Sequence, residues 1–251
     1  MKNELLHIGP FTVYGYGLMI ACGVLAAYIT IEYRAGKAGM EKEHVFPLFL
    51  WSLAGGLLGA KLMFLITEWK YFVRDPLNYL IYFSDGFVVY GGIIVGVLTA
   101  YLYCHANRLD FAKWADLCLP SVALAQGFGR IGCFLAGCCY GKETTSPIGI
   151  TFHHSEFAPN NVPLLPTQLM SSALNFLHFF ILVAASRHIK KPGTVAKLYL
   201  ILYSAGRFLL EFLRGDSERG NIGPLSTSQL IAILVFICTM CWIIIEKYKK
   251  K

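Results

Sequence analysis

Four ionisable side chains stand inside segments otherwise apolar enough to sit in lipid. Arg130 lies in Phe-Gly-Arg-Ile-Gly, and Arg207, Glu211 and Arg214 lie in Tyr-Ser-Ala-Gly-Arg-Phe-Leu-Leu-Glu-Phe-Leu-Arg. A charge at such depth costs about 2.5–3.5 kcal/mol on insertion scales, so each needs a partner or a task. Spacings of four and three put Arg207, Glu211 and Arg214 on one helical face. One reading is an intrahelical Arg–Glu–Arg ladder whose long side chains snorkel to the interface. That serves Arg130 less well, because nothing acidic lies within one turn of it. The other reading is a phosphate clamp. The guanidinium fork pairs with phosphate oxygens in bidentate fashion and does not neutralise itself by losing a proton. Gly91, Gly92 and Gly96 follow Tyr90, and Gly127, Gly129 and Gly132 surround Arg130. Such small residues let helices approach closely and let backbone reach an elongated ligand.

The second set of reactive side chains is Cys133, Cys138 and Cys139, in the pattern C-x4-C-C. Three readings stay open: small polarisable packing residues, a disulfide on an oxidising face, or reactive thiols that bind metal or carry an intermediate. Even with His153 and His154 following, the spacing fits a zinc site only loosely, so neither a metal nor another cofactor is expected.

The elements that must position these groups are membrane spans. The 251-residue chain is 56% hydrophobic and only 15% charged, with a mean hydropathy of +0.54. Soluble domains carry about 25% charged residues. Disorder is thereby excluded, the balance argues against an ordinary soluble enzyme, and eight dispersed cysteines do not make a disulfide-framework mini-protein. Windows long enough to span a bilayer fall at about 11–32, 45–66, 87–106, 115–136, 166–186, 196–213 and 227–246. The fourth is interrupted by Pro120, Gln126 and Arg130, the sixth by Arg207 and Glu211. The first is too long and too poorly flanked for a cleavable signal. Thirteen of the 22 Lys and Arg residues cluster after the odd-numbered windows. The positive-inside rule then puts those loops and the C-terminus in the cytoplasm and the N-terminus outside. The expected fold class is an all-α polytopic membrane protein of seven transmembrane helices, N-out/C-in, forming one domain over residues 1–251. The net charge of +7 is explained by topology, so no nucleic-acid partner is expected.

Together these segments resemble the prolipoprotein diacylglyceryl transferase family, from the first span to the last. Gly129-Arg-Ile-Gly-Cys-Phe-Leu-Ala-Gly-Cys-Cys-Tyr-Gly141 looks like the family's G-R-x-G-N-F-x-N-x-E-x-x-G, and Tyr203 to Arg214 matches each fixed position of Y-x-x-x-R-F-x-x-E-F-x-R. Val13-Tyr-Gly-Tyr-Gly-Leu-Met19, Asp85-Gly-Phe-Val-Val-Tyr-Gly-Gly92 and Pro166-Thr-Gln-Leu169 are similar to three further family segments. The resemblance implies transfer of the diacylglyceryl group of phosphatidylglycerol to the lipobox cysteine of a prolipoprotein, with glycerol phosphate leaving. It implies a multi-pass protein of the bacterial cytoplasmic membrane, in contact with membrane lipids and with its site toward the outer leaflet. On that basis Arg130 and Arg207 stabilise the departing phosphate. Glu211 and Arg214 hold Arg207, Tyr16 and Tyr203 donate hydrogen bonds to the headgroup, and Gly91, Gly92, Gly129, Gly132, Cys133 and Cys138 complete the substrate site.

The match departs from the family pattern near the chemistry. Tyr90 stands in place of the His of H-G-G, Cys133 in place of Asn, Cys138 in place of Glu, and Lys61 where Arg is common. A histidine titrating near about 6.5 can help deprotonate a thiol, whereas a tyrosine near about 10 is a poor base at neutral pH. Tyr90 is therefore expected as a hydrogen-bonding substitute. His153 and His154 are more simply solvated loop residues, and ionisation of the acceptor thiol beside Arg130 removes the need for a dedicated base. Two alternatives use the same lipid: a divergent paralogue with another acceptor, and a non-catalytic lipid-binding or transport protein. Elsewhere, Asp116 is expected to be structural with Lys113 as an available partner, and Gln168 and Asn175 to join helices. The aromatic stretch Glu68 to Ser84 is expected to lie at the outer interface.

Overall fold

The computed structural model describes residues 4–8, 11–74, 86–216 and 220–249. Asp85, Arg219 and most of the aromatic stretch after Arg74 lie outside them. Strands β1 (Glu4–Ile8) and β2 (Phe11–Tyr14) form an antiparallel hairpin ahead of helix α1 (Gly15–Lys37). The helices that follow are α2 (Val45–Thr67), α3 (Trp69–Arg74), α4 (Val89–Ala106), α5 (Phe111–Ala136), α6 (Thr167–His188), α7 (Thr194–Glu211) and α8 (Thr227–Tyr248). The first span was expected from residue 11. Instead residues 11–14 are strand, because an apolar run of this length does not distinguish strand from helix by periodicity.

Among the described residues, six helices are long and apolar enough to cross a membrane: α1, α2, α4, α5, α6 and α8. Their outward faces carry Leu25, Ile29, Leu58, Ile66, Ile94 and Leu234, each more than half exposed. Apolar area on that scale is at home in lipid, where helices satisfy their own backbone polar groups. The remaining expected window, the sixth, is α7, an 18-residue helix bearing Lys197, Arg207 and Glu211. Helix α5 runs unbroken through Pro120, Gln126 and Arg130.

The chain divides into two compact units, Ile31–Trp114 and Met1–Thr30 with Ala115–Lys251. In the first, α2 and α4 are joined along a seam of glycines. A Cβ on Gly92 would stand 2.9 Å from the Gly56 carbonyl oxygen, and Gly59 and Gly91 would each press on the other's backbone. Close approach of this kind is the usual use of small residues between helices. Lys61 is buried on α2, its ammonium 3.4 Å from the Gly86 carbonyl and 5.1 Å from the ring centres of Phe64 and Phe87. On the same unit Lys113 pairs with Asp110 at 4.0 Å.

In the second unit, α5, α6 and α7 enclose a core around Ala123, Leu182, Val195 and Tyr199. Asp116 is structural, as expected: its carboxylate accepts the Gly193 amide at 2.8 Å and the Ala196 amide at 2.7 Å, capping the start of α7. Glu246 of α8 takes both Lys191 and Lys197, tying the α6–α7 turn to α8. Between α5 and α6 a loop with strands β3 (Ile150–Thr151) and β4 (Pro163–Leu164) folds on its own small core of Phe152, Ala158 and Leu164. Strands β5 (Asn221–Ile222) and β6 (Leu225–Ser226) lead into α8, where Ser226 and Gln229 form a capping box.

Candidate active site

The second unit brings three arginines to one small cavity, lined by Arg130, Cys139, Thr167, Gln168, Ser171, Arg207, Leu210 and Arg214. Arg130 comes from the C-terminal part of α5, Arg207 from that of α7, and Arg214 from the turn beyond it. The turn is pinned by backbone pairing. The amide of Lys142 donates to Leu213 at 2.9 Å and that of Gly215 to Tyr140 at 3.0 Å. The crossing is so tight that a Cβ on Gly215 would stand 2.6 Å from the Gly141 oxygen.

The ladder is present, and its two arginines line the same cavity as Arg130. Glu211 is buried, with Oε2 3.0 Å from Arg207 and 3.7 Å from Arg214. Its Oε1 accepts the Ser226 hydroxyl at 2.9 Å, and Arg207 also donates to Ser228 at 3.0 Å. Arg214 is held by Asp216 through two hydrogen bonds of 3.0 and 2.5 Å, a bidentate pair. Burial works against the charge on Arg214, but its pKa is nonetheless raised by the Asp216 hydrogen bond and nearby anionic groups. Two of the three guanidinium groups therefore have carboxylates. Among the described residues Arg130 has no carboxylate in an ion pair, and Cys133, Tyr203, Cys139 and Arg214 are among the groups that act on it electrostatically. Arg130 is thus the cavity guanidinium that no described carboxylate pairs with.

Cys133, Cys138 and Cys139 are unbridged, and their sulfurs all lie within 4.8 Å of one another. Helix α5 ends at Ala136; Gly137 follows with a φ of +80°, and Cys139 has a φ of +58°. The carbonyl of Cys138 accepts Gln168 Nε2 at 2.9 Å and that of Cys139 accepts Thr167 Oγ1 at 3.0 Å. The neighbouring Cys133 and Cys138 thiols hold the Cys139 thiol below its ordinary pKa, with Arg214 and Arg130 adding to the fall. Gln168, expected only as a helix-joining residue, thus lines the cavity and carries the cysteine backbone; among the described residues its Oε1 is buried without a hydrogen-bond partner. Asn175 donates to Ser171 one turn back on its own helix.

Tyr16 stands at the start of α1, close enough to Cys133 and Arg130 to interact electrostatically. Gly132 permits this, since a Cβ there would meet the Tyr16 ring at 3.2 Å. Gly129 faces Ile20. Tyr203 stacks on Tyr199 at 5.7 Å and lies within electrostatic reach of Arg130 and Arg207. His153 and His154 are exposed on the loop, with His153 2.8 Å from Asn161 Oδ1. Tyr90, Gly91 and Gly92 lie on the first turn of α4 in the other unit, Tyr90 being 41% exposed and the glycines forming the seam with α2. Sequence reasoning missed Asp216, Ser226 and Ser228; of these, only Asp216, two residues after Arg214, had a local signal.

Comparison with known proteins agrees with the motifs. The family profile described as prolipoprotein diacylglyceryl transferase matches residues 3–245. A phosphatidylglycerol–prolipoprotein diacylglyceryl transferase of Clostridium tetani is 47% identical over 251 residues, the whole of both chains. A second such protein, from Clostridium perfringens, is 44% identical over 94% of this chain and 92% of its own, and one from Staphylococcus carnosus 31% over 97% and 90%. With the profile spanning nearly every residue and the arginine motifs converging on one cavity, the chain belongs to the prolipoprotein diacylglyceryl transferase family.

Proposed function

We propose that this protein transfers the diacylglyceryl group of phosphatidylglycerol to the lipobox cysteine thiol of prolipoproteins, the first step of lipoprotein maturation. The acceptor sulfur attacks the glyceryl carbon that bears the phosphate. The carbon–sulfur bond forms, the carbon–oxygen bond breaks, glycerol phosphate leaves with the electron pair, and the thiol proton passes to solvent or to the leaving phosphate. The observation that carries this reading is the pairing pattern of the cavity. Arg207 and Arg214 are held by Glu211 and Asp216, while Arg130 faces the same space with no carboxylate among the described residues. A preorganised cation aimed at developing phosphate charge is the largest contribution a protein makes to such a displacement.

Arg130 and Arg207 then act on the leaving phosphate, and Glu211 and Arg214 fix Arg207. Tyr16 and Tyr203 donate to the headgroup, and Cys133, Cys138, Gly129 and Gly132 shape its surroundings. Tyr90 takes the hydrogen-bonding role of the histidine at that position in the family pattern, beside Gly91 and Gly92. The loop charges support seven spans, N-out/C-in, with α7 as the sixth. Its cavity charge, Arg207, is paired with Glu211 and hydrogen-bonded to Ser228. On this topology the whole chain works as one transferase domain of the cytoplasmic membrane, with the arginine cavity toward the outer leaflet.

The test is a transfer assay with the purified chain in detergent, radiolabelled phosphatidylglycerol and a lipobox peptide. Lipid-modified peptide that disappears in Arg130→Ala is the expected result. Labelled lipid retained without product would overturn the transfer reading and point to another acceptor or to transport.

A further inference from the structure

A cluster of three thiols beside an arginine cavity needs a reason, because its assembly works against local preferences. Adjacent residues of an extended chain point to opposite sides, yet the sulfurs of Cys138 and Cys139 converge on that of Cys133 within 4.8 Å. The backbone achieves this with two successive departures from ordinary geometry, at Gly137 (φ +80°) and Cys139 (φ +58°). A left-handed non-glycine residue is strained, so it persists where the surroundings over-determine it. Here Gln168 and Thr167 of α6 each clamp a cysteine carbonyl.

The geometry suits a soft cation. Around an ion with metal–sulfur bonds of about 2.3 Å, three thiolates stand about 3.8–4.0 Å apart, well inside the observed limit. Three thiolates would carry more negative charge than a single ion neutralises. That surplus falls beside cations, since Arg214 and Arg130 both act electrostatically on Cys139. The ligand set is sulfur only: among the described residues no histidine or carboxylate joins the group. Thiolate-only sites select thiophilic ions over hard cations such as magnesium or calcium.

We propose that Cys133, Cys138 and Cys139 form a three-thiolate site for a thiophilic metal ion of the zinc(II) or copper(I) class. Binding releases the thiol protons to solvent. Because Cys139 also lines the arginine cavity, a bound ion shares a wall with the anion site.

The experiment uses the full chain in detergent, reduced and handled without oxygen. Cadmium(II) serves as a spectroscopic probe, and zinc(II) and copper(I) compete in turn against a colorimetric chelator. The expected result is one equivalent bound with a thiolate-to-metal charge-transfer band. Cys133→Ser, Cys138→Ser and Cys139→Ser should each weaken binding by at least the about tenfold that loss of a mere outer-shell partner costs. Cys238→Ser and Cys241→Ser, on the exposed face of α8, should not change it. In the unaltered chain, bound ion should also protect all three thiols from alkylation, mapped by mass spectrometry; this arm stands even where a serine variant does not fold. Absence of the band, binding that survives the serine variants, or an intact mass showing a disulfide among these cysteines would overturn the proposal. The zinc and copper arms identify which ion the site prefers.

Discussion

The hydroxyl of Ser226 donates to Oε1 of Glu211 at 2.9 Å, so the residue that caps α8 also orients the carboxylate ending α7. Through Glu211 the cap reaches both Arg207 and Arg214. Ser226 lies twelve residues past the last arginine of the motif, and the β5–β6 hairpin returns it to the site. The cavity is thus held from α8 as well as from the helix that supplies its charges.

Ser226→Ala removes the cap of α8 and one hydrogen bond to a buried carboxylate. A lost cap costs about 1 kcal/mol and a hydrogen bond to a charged group about 1.5–3 kcal/mol. The expected outcome is a lower thermal midpoint in detergent, with reduced turnover because Arg207 loses its orientation. Ser226→Thr, which keeps the hydroxyl, should restore most of both. A variant with unchanged midpoint and turnover would show that the Glu211 contact is idle.

Glu211→Gln leaves two guanidinium groups without the anion between them. Glu211 is almost fully buried, and breaking such a pair by removing one partner costs about 3–5 kcal/mol. The protein should express poorly or melt well below the parent, before any question of activity. Thermal unfolding with and without an anionic phospholipid is the measurement. Added lipid should recover part of the loss, by supplying negative charge to the cavity.

The ladder was legible because its members sit four and three residues apart on one helix, where spacing alone sets the face. That Arg130 joins them rested on the clamp reading and on the family resemblance, since no local periodicity connects α5 to α7. Two things stayed hidden for physical reasons. The β1–β2 hairpin shares its hydropathy with the helix it precedes, so composition placed no boundary at Gly15. The convergence of the cysteine sulfurs depends on left-handed backbone at Gly137 and Cys139 and on hydrogen bonds from α6, none of which a C-x4-C-C pattern encodes.

Arg130 should separate catalysis from stability. With no carboxylate partner among the described residues, Arg130→Ala breaks no ion pair there, and its thermal midpoint should stay close to the parent's. Turnover should fall by about 10²–10³, the loss typical of removing one preorganised donor from a developing anion. Arg130→Lys keeps the charge but loses the planar fork, so it should fall between. Equal turnover for lysine and arginine would show that charge alone matters.

Tyr90 tests whether the hydroxyl can stand where the family pattern has histidine. Tyr90→Phe removes one oxygen from a half-exposed ring at the start of α4. If the hydroxyl acts only in the transition state, kcat should fall about tenfold, the worth of one hydrogen bond of about 1.4 kcal/mol, while lipid binding is unchanged. An equal rise in the dissociation constant for phosphatidylglycerol would move Tyr90 from chemistry to binding.

Gly215→Ala probes the backbone crossing that aims Arg214. The added Cβ would stand 2.6 Å from the Gly141 oxygen, 2.8 Å from its carbonyl carbon and 3.0 Å from the Lys142 amide nitrogen. All three are backbone atoms, so no side-chain rotation relieves the clash. Overpacking of this kind costs about 1–3 kcal/mol, and here the relaxation must push the turn bearing Arg214 away from the loop bearing Cys139. Both the thermal midpoint and turnover should fall. Gly17→Ala is the matched control on α1, where an added Cβ meets nothing within 4 Å and a helix interior favours alanine by about 0.5–1 kcal/mol. Its midpoint should hold or rise. If the two variants melt alike, the Gly141–Gly215 crossing is looser than its distances imply, and Arg214 is aimed by Asp216 and Glu211 without it.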